Sequence, residues 1–328
     1  MRVMVTGATA PLGAALVEAL LATAGVEFVL AVGREHDTAL PPDPRLLYRT
    51  VDLTRPRALH DLVWGDARER GVEAIVHGIQ HRRVRDRGAP IHAQNVEATR
   101  ELLLACAGHP TIRRLVYRSF AEVYALDHAA SNVLDEEAAL DFDPSSPQWV
   151  RDRVEADLLV CAHLGGLLQV AVLRCAEVFA PEMGSQLWDY LQSRICLRPF
   201  GFDPMVNVLS LDDAVAALVA ALQGSATGVF NIPGCDTLPL SSVIAESRRA
   251  DVPVPGPLMA PLYGLRHWAT GFEFRYDMNF QRFHFGGVLD GTRAHMALGY
   301  VPRTRVSWPR PWWSMLVERL AAEQERLR

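Results

Sequence analysis

Trp149 and Arg153 lie four residues apart in the stretch SSPQWVRDRVEADLL, which runs from Ser145 to Leu159. Two serines and a proline favour a helix start there, so the two side chains are expected on one helix face. An indole N–H donates a hydrogen bond, and a guanidinium binds oxygen atoms while keeping its proton near neutral pH. The pair therefore suits binding better than proton transfer. The alternative is an aromatic ring packed under an arginine stem.

A loop near the N-terminus indicates a phosphate site. The stretch TGATAPLGAAL carries Gly7, Ala10 and Gly13 at three-residue spacing between a strand-like run and a helix-like run. A tight glycine turn in this context lets backbone N–H groups and a helix N-terminus face a pyrophosphate. The alternative is that the small residues only allow the helix and the strand to pack closely.

These residues must be positioned by the elements around them, and the first half of the chain alternates short apolar runs with longer amphipathic ones. The runs are RVMVTG, PLGAALVEALLA, EFVLAVG, ALHDLVWGDARERG, EAIVHGI, NVEATRELLLACAG and RRLVYRSF. This order predicts right-handed βαβ units, and hence an α/β fold with a doubly wound parallel sheet. A helix at Gln148–His163 and a strand in LQVAVLRCAEVF extend this pattern to about residue 180.

Beyond residue 180 the alternation weakens and prolines become frequent. VPVPGPLMAPLYG reads as a loop before a short apolar helix, LSLDDAVAALVAALQG as a helix capped by Ser210 or Asp212, and GVFNIPG as a further strand. LVERLAAEQERLR reads as a C-terminal amphipathic helix. The tryptophans of WPRPWW either seal this helix onto the molecule or themselves form a patch for a partner or a membrane surface. We therefore divide the chain into residues 1–180 and a smaller C-terminal lobe, residues 181–328, interleaved with the first part.

Composition and charge narrow the function classes. The chain has 328 residues, 49% of them hydrophobic and 22% charged, and a formal net charge of −5, which argues against a nucleic-acid partner. The five cysteines never form a C-x-x-C pair, so we expect neither a disulfide framework nor a metal site. No signal-like leader or transmembrane-length apolar run is present, and we expect a cytoplasmic protein. The basic run HRRVRDR, from His81 to Arg87, suits either an acidic ligand or a solvated face.

The motifs together resemble the extended short-chain dehydrogenase/reductase family, in particular its NAD-dependent epimerase/dehydratase branch. VTGATAPLG resembles the family's glycine loop, TVDLTRPRAL its adenine-contacting segment at Asp52 and Leu53, and NVEATRELLLACAG its helix from Asn95. RRLVYRSFAEVYA resembles the strand that carries the catalytic serine or threonine, and LRCAEVFAP, GVFNIPG and VLDGTRAHMALGYVP resemble later landmarks. The resemblance implies a Rossmann-like NAD(P)-binding domain and a C-terminal substrate lobe, in an atypical member of the family.

The positions that correspond to the family's catalytic set are all replaced. Family members use a serine or threonine and a Tyr-x-x-x-Lys pair, whose tyrosine exchanges a proton with the substrate. The three positions fall on Phe120, Trp149 and Arg153. Phenylalanine makes no hydrogen bond through its side chain and indole has no usable proton, so the resemblance implies a degenerate catalytic set. The nearby hydroxyl groups that remain as candidate substitutes are those of Ser119, Tyr117 and Tyr124.

The cofactor side also departs from the family's pattern. Ala10 replaces the middle glycine, Ile79 stands where the family has a small residue, and Gly33 replaces the acid that binds the ribose. Arg34 follows directly, and a cation without the acid favours NADP over NAD, unless Arg34 is only a surface arginine. The cofactor-binding residues implied are Gly7, Ala10, Leu12, Gly13, Arg34, Asp52, Leu53, Ile79, Asn95 and Arg153.

Three hypotheses for the function follow. The first is a dinucleotide-binding protein that has lost the family's hydride chemistry and has a binding, sensing or partner role. The second is an active NADP-dependent oxidoreductase or sugar-nucleotide epimerase/dehydratase that uses substitute groups. The third is an interaction module that binds no dinucleotide. The resemblance further implies a homodimer, and we expect a small-molecule or nucleotide ligand and allow for a protein partner.

Overall fold

The computed structural model describes residues 1–36, 38–127, 131–271 and 273–309. The strands are β1 (Arg2–Thr6), β2 (Phe28–Gly33), β3 (Leu46–Thr50), β4 (Ala74–His77), β5 (Arg114–Phe120), β6 (Val133–Leu134), β7 (Gln169–Cys175), β8 (Glu177–Val178), β9 (Ile195–Pro199), β10 (Met205–Leu209), β11 (Gly228–Ile232), β12 (Asp236–Pro239), β13 (Ala250–Val254) and β14 (Val288–Leu289).

The helices alternate with these strands along the chain. They are α1 (Pro11–Ala22), α2 (Pro56–Asp61), α3 (Ala89–His92), α4 (Ala98–Cys106), α5 (Gln148–Cys161), α6 (Gln186–Leu191), α7 (Leu211–Gln223), α8 (Leu240–Glu246), α9 (Gly256–Thr270), α10 (Phe280–His284) and α11 (Thr292–Leu298). A π-helical turn at Leu62–Ala67 continues α2, and another at Ala93–Glu97 joins α3 to α4.

The central sheet is parallel and has seven strands in the order β11-β7-β5-β4-β1-β2-β3. Its inner strands are almost wholly buried, as apolar strands covered on both faces are. Helices α1 and α7 cover one face, and α2, α4 and α5 supply core residues on the other. This is the predicted Rossmann-like, doubly wound α/β fold.

The C-terminal lobe is built from small sheets and short helices. Strand β10 pairs antiparallel with β12 and parallel with β8, and an aromatic core around Tyr190, Phe274 and Phe283 holds the lobe together. Residues 211–232 leave the lobe and return to the main sheet as α7 and β11. The two parts of the chain are therefore interleaved.

Two details of the local structure differ from the sequence-based predictions. VPVPGPL is not simply a loop, because Ala250–Val254 forms β13 and pairs in parallel with β9. Prolines are tolerated there since β13 is an edge strand of a two-stranded sheet. The strand predicted in LQVAVLRCAEVF is divided at Ala176, whose N–H bonds to the Ile232 carbonyl, and its end, β8, belongs to the lobe.

The helix-capping prediction is resolved in favour of Ser210, whose hydroxyl accepts the Asp213 N–H at the start of α7. Trp308 packs against Phe179 with ring centroids 5.0 Å apart, and so joins the core of the lobe. Trp312, Trp313 and the amphipathic helix predicted in LVERLAAEQERLR lie outside the described residues.

Candidate functional site

The candidate site lies where the strand order reverses, between β1 and β4. In open parallel sheets, ligands bind outside the carboxyl ends of the strands at such a switch point, because the connecting loops diverge there and leave a crevice. The loops after β1, β2, β4 and β5 all reach this edge. They carry most of the residues that the sequence identified.

The loop after β1 has the backbone geometry of a phosphate cradle. Gly7 has a φ of +71°, a conformation that favours glycine. A Cβ atom at Gly13 would lie 2.1 Å from the Gly7 carbonyl oxygen, so only glycine fits beneath the loop. The Ala10 N–H bonds to that same oxygen at 3.1 Å, and α1 begins one residue later, with Leu12 buried. The N-terminus of α1 is thereby held close to the crevice.

The end of β2 explains why no acid stands at Gly33. A Cβ atom there would lie 2.6 Å from the Tyr48 hydroxyl oxygen and 2.8 Å from Thr9 Cγ2. The acid occurs two residues later: Glu35 accepts hydrogen bonds from the Thr9 hydroxyl and, at 3.1 Å, from the Arg34 N–H. The bond from Thr9 holds the pKa of Glu35 below its ordinary value. Glu35 was missed from the sequence because it lies past the strand end.

Arg34 lies at the rim of the crevice, with its side chain 54% exposed. Its guanidinium is 3.6 Å from an Asp52 carboxylate oxygen and 3.4 Å from the Gln94 side-chain oxygen. Asp52 also accepts the Thr54 N–H and hydroxyl, while Leu53 is buried in the core. Arg34 is therefore only weakly held and has room to move toward a ligand.

Ile79 and Asn95 border the other side of the crevice. The Ile79 side chain packs against the glycine loop, since a Cβ atom at Gly7 would lie 3.4 Å from its Cγ1. Asn95 is buried, accepts the His81 N–H at 2.8 Å and donates to Asp152 on α5 at 3.0 Å. Asn95 thus ties the loop after β4 to the helix that carries Trp149 and Arg153.

Phe120, Trp149 and Arg153 meet in one buried group. The guanidinium carbon of Arg153 lies 4.0 Å from the Phe120 ring centroid and 4.7 Å from that of Trp149. Arg118 stacks on the Phe120 ring as well, at 4.1 Å. Arg118 and Phe120 share a face of β5 because alternate residues of a strand point the same way. We call Arg118, Phe120, Trp149 and Arg153 the Phe120 cluster.

The Phe120 cluster holds two cations and one nearby carboxylate. Arg153 Nη1 lies 3.1 Å from Glu122, which follows β5 in a short 3-10 turn. Burial lowers the pKa of Arg153 to about 10 and lowers that of Arg118, although Glu122 opposes both shifts. Arg153 therefore keeps its charge at neutral pH. Glu122 was not identified from the sequence because its role depends on a contact with Arg153 on a separate element, and Arg118 was not identified because its stacking on Phe120 depends on side-chain orientation.

Several buried polar atoms around the cluster make no hydrogen bond within the described residues. They are Gln80 Oε1, Arg118 Nε, Trp149 Nε1 and Arg153 Nε. Gln80, Arg118 and Arg153 line a cavity that also touches the glycine loop. Buried polar groups are normally paired, so these atoms point to a bound ligand or water. The glycine cradle, the Gln80 acceptor and the donors of Arg118 and Arg153 together suit a dinucleotide that extends from the loop to the cluster.

Of the three candidate substitute hydroxyls, those of Ser119 and Tyr117 are turned away from the Phe120 cluster, and that of Tyr124 is engaged by other residues. Ser119 lies on the opposite face of β5 and donates to Asp157, and Tyr117 is packed in the core of that face. Tyr124 donates to Asn231 at 2.6 Å, and burial raises the pKa of its hydroxyl to about 12. Tyr124 lines the same pocket as Trp149, but its hydroxyl is engaged by Asn231 and Arg174.

Asp157 belongs to a buried network that anchors α5. Arg174 on β7 donates to both of its oxygens, at 2.7 and 3.1 Å. Arg174 also donates to the Tyr124 hydroxyl at 3.2 Å and to the Glu136 carbonyl at 3.1 Å. The hydroxyl of Ser119 is therefore part of a structural connection between β5, α5 and β7.

The basic loop faces acidic groups of the lobe. Arg82 donates to the Glu182 carbonyl at 2.9 Å, Arg85 lies 3.3 Å from Glu273, and His81 lies 2.7 Å from Asp86. These residues, with Arg34, line a cleft of about 730 Å³. Three residues of the basic run, His81, Arg82 and Arg85, are therefore held by contacts within the protein.

Within the described ranges, no group of three His, Cys, Asp or Glu side chains is arranged to hold a metal ion. In the same ranges, no helix has both the length and the apolar character needed to cross a bilayer.

Comparison with known proteins agrees with this geometry. The model of the "NAD dependent epimerase/dehydratase family" matches residues 3–232. An uncharacterized protein of Mycobacterium tuberculosis is 30% identical over 308 residues, which cover 92% of this chain and 80% of that protein. The "3-diazoavenalumate denitrifying reductase" of a Streptomyces species is 30% identical over 322 residues, covering 94% of this chain and 98% of the reductase.

Solved structures share the fold. UDP-glucuronic acid 4-epimerase from Bacillus cereus, in complex with UDP-glucuronic acid and NAD, superposes with a TM-score of 0.70 at 17% identity, covering 93% of this chain and 95% of that one. DesIV, the dTDP-glucose 4,6-dehydratase of Streptomyces venezuelae with NAD bound, gives a TM-score of 0.69 at 21% identity, covering 93% of each chain.

Proposed function

The chain belongs to the NAD-dependent epimerase/dehydratase family, and on that premise we propose that it binds a nicotinamide dinucleotide without supplying tyrosine-dependent carbonyl chemistry. Its role is then binding, sensing or partnership. The observation that carries the proposal is the Phe120 cluster, in which a guanidinium is stacked on two rings at the positions that the resemblance assigns to the proton-transfer groups. Ser119 and Tyr124, two of the candidate substitute hydroxyls, are engaged by Asp157 and Asn231, and Glu122 is paired with Arg153.

We propose NADP as the cofactor. Arg34 is more than half exposed at the rim of the crevice, where it can meet a 2′-phosphate. Glu35 opposes this preference because an acid near the end of the second strand suits a ribose hydroxyl, yet its Oε2 is already engaged by Thr9 and the Arg34 N–H. Structures with the same fold are described with NAD bound, which makes NAD the alternative.

Calorimetric titration of the purified chain with NADPH and NADH tests both parts. We expect heat with both and a smaller dissociation constant for NADPH. NADH binding at least as tightly would remove the NADP preference. No heat with either dinucleotide would contradict the whole proposal and favour an interaction module.

A second candidate is a reductase whose substrate needs no proton from the protein. It is favoured by the similarity to the Streptomyces reductase, whose name denotes removal of nitrogen from a diazo compound. A reduced dinucleotide would supply one hydride there. At a diazonium carbon, a carbon–hydrogen bond forms, the carbon–nitrogen bond breaks, and N₂ leaves with the bonding pair. The side chains of the Phe120 cluster would then only bind and orient the substrate.

This candidate is tested in two parallel reactions. In one, NADPH carries deuterium on one face of the nicotinamide, and in the other it carries deuterium on the opposite face. The substrate is an arenediazonium salt, kept in the dark. Enzymatic reduction should transfer deuterium from one face only into the arene, above a reaction without protein. Equal transfer from both faces, or no product above background, would exclude this role for the diazonium tested.

We also propose a homodimer formed through α4 and α5. These helices pack side by side in one chain, and each leaves a leucine exposed, Leu104 at 60% and Leu158 at 40%. Two copies of this face would bury both leucines in a four-helix contact. Light scattering should give twice 36.3 kDa, and Leu104→Glu should give a monomer. A monomeric wild-type chain at micromolar concentration would reject the dimer.

A further inference from the structure

A second cavity opens beside the Phe120 cluster, between the turn after β5 and the C-terminal lobe. Its walls are mainly apolar and include Leu126, Leu187 and Phe283, and its charged lining residues are Glu122, Glu177 and Arg282. An adjoining pocket shares Glu122 and Arg282 and is lined further by aromatic residues, among them Trp149 and Phe280. We call the two together the lobe cavity.

The charges of the lobe cavity are neutralised within the protein. Arg282 lies between two carboxylates, 3.5 Å from Glu122 and 2.6 Å from Glu177. Glu177 also accepts the Ser185 hydroxyl at 2.7 Å and the Leu187 N–H at 2.9 Å. Burial alone would raise the pKa of Glu177, but Arg282 and these hydrogen bonds outweigh it and hold the pKa below its ordinary value. Glu177 is therefore ionised, and both terminal nitrogens of Arg282 are engaged.

This arrangement is unfavourable for a phosphate. Among the described residues that line the lobe cavity, Arg282 is the single Lys or Arg. The part of the cavity next to Trp149 also carries the carboxylates of Asp141 and Asp277. Phosphates are usually held by free arginines, lysines or backbone N–H groups. A nucleoside diphosphate would place its charges beside buried carboxylates, where like charges repel strongly because the dielectric is low.

Trp149 brings a hydrogen-bond donor, unpaired among the described residues, to the wall of the adjoining pocket. Its side chain is nine-tenths or more buried, it lines the adjoining pocket, and its indole nitrogen has no hydrogen-bond partner within the described residues. Indole N–H groups donate only, so the missing partner is an acceptor atom. The ring of Phe280 lines the same pocket, which suits a flat apolar group next to that acceptor.

We propose that the lobe cavity takes an uncharged aryl substrate or ligand, whose acceptor oxygen is bound by the Trp149 indole N–H, and that it excludes nucleoside diphosphates. The inference rests on the proposed function, because it assigns the ligand that would lie next to the dinucleotide. In this role Trp149 is a binding residue, and the pair Glu177 and Arg282 determines specificity by leaving no cation free.

The test is calorimetric titration of the full chain with two probes, cinnamamide and UDP-glucose, with and without saturating NADPH. Cinnamamide is an uncharged aryl amide with a carbonyl acceptor, and UDP-glucose is a nucleoside diphosphate sugar. We expect cinnamamide to bind and UDP-glucose to give no heat. Trp149→Phe should weaken cinnamamide binding about 3–10-fold, the effect of one lost hydrogen bond, while keeping the stacked ring.

Trp268→Phe serves as the matched control, since Trp268 is 83% exposed on α9, away from the lobe cavity. It should leave cinnamamide binding unchanged, and circular dichroism should show both variants folded. Binding of UDP-glucose as tight as that of cinnamamide, no cinnamamide binding, or an unchanged affinity in Trp149→Phe would each overturn the inference. Absence of NADPH binding with cinnamamide binding intact would instead contradict the proposed function, so the two failures are distinguishable.

Discussion

The glycine loop follows β1 and the Phe120 cluster joins the end of β5 to α5 at the same sheet edge, yet the two depart from the family's pattern to different degrees. The loop works through backbone geometry, and the left-handed Gly7 and the tightly enclosed Gly13 preserve it despite Ala10. The cluster consists of side chains, and the resemblance assigns the positions of the family's catalytic set to Phe120, Trp149 and Arg153. On the proposed function, binding and chemistry separate here, because the backbone carries the first and side chains carry the second.

The largest effect we expect concerns carbonyl chemistry in the Phe120 cluster. General acid–base catalysis is typically worth about 10²–10⁴-fold, so wild-type turnover of ketones, aldehydes or sugar nucleotides with NADPH should stay near background. Trp149→Tyr alone should not restore turnover, since Phe120 still cannot hydrogen-bond a substrate oxygen. Phe120→Ser combined with Trp149→Tyr is expected to raise it. Absorbance loss and product analysis over a carbonyl panel provide the measurement.

Robust wild-type turnover would contradict the proposal that the chain binds a dinucleotide without supplying the family's carbonyl chemistry. If that turnover also survived replacement of Ser119, Tyr117 and Tyr124, catalysis would depend on groups outside both regions.

A substitution of Asp157 tests whether the buried network that contains Ser119 stabilises the fold. Asp157→Asn leaves the buried Arg174 without a full counter-charge, and breaking a buried pair in this way typically costs about 3–5 kcal/mol. We expect urea denaturation to show a loss of this size, while NADPH binding to the folded variant stays unchanged. Asp61→Asn is the control because Asp61 is an exposed acid on α2. A small loss would mean that Ser119 and its partners do not anchor α5.

The contrast between backbone and side chains also explains how much the sequence could predict. Apolar runs and glycine spacing are local signals, and they predicted the sheet, its flanking helices and the cradle at Gly7 and Gly13. The contacts of Arg153 on α5 with the Phe120 ring at the end of β5 and with Glu122 in the following turn join residues from different elements, so no local pattern reports them. Glu35 was missed because the strand ends two residues before it.

His77, buried at the end of β4, predicts a pH dependence of the free energy of unfolding. It bonds to Thr6 and Thr99, and burial lowers its pKa to about 4 from an ordinary value of 6.5. The unfolded chain takes up the proton at higher pH, so the stabilisation is complete above about pH 6.5 and is lost as the pH falls toward 4. The loss reaches about 3 kcal/mol for this shift.

The measurement is the free energy of unfolding in urea at several pH values for the wild-type chain and for His77→Gln. The glutamine can keep both hydrogen bonds but does not titrate, so its stability should fall less steeply on acidification. Equal slopes for the two proteins would show that His77 is not held neutral in the fold.

Substitutions of Arg34 and Glu35 have the smallest expected effect. They test whether side chains, as well as the glycine loop, determine dinucleotide binding. If Arg34 meets a 2′-phosphate, Arg34→Ala should lose a charge-assisted contact and weaken NADPH binding by about 1.5–3 kcal/mol, with NADH binding unchanged. Glu35→Gln keeps an acceptor for the Thr9 hydroxyl and removes the like charge, so it should strengthen NADPH binding and leave NADH little changed or weaker. Parallel calorimetric titrations of both variants measure these shifts. Equal losses for the two dinucleotides in Arg34→Ala would mean that Arg34 acts through its pairing with Asp52, and that cofactor choice here depends on the backbone alone.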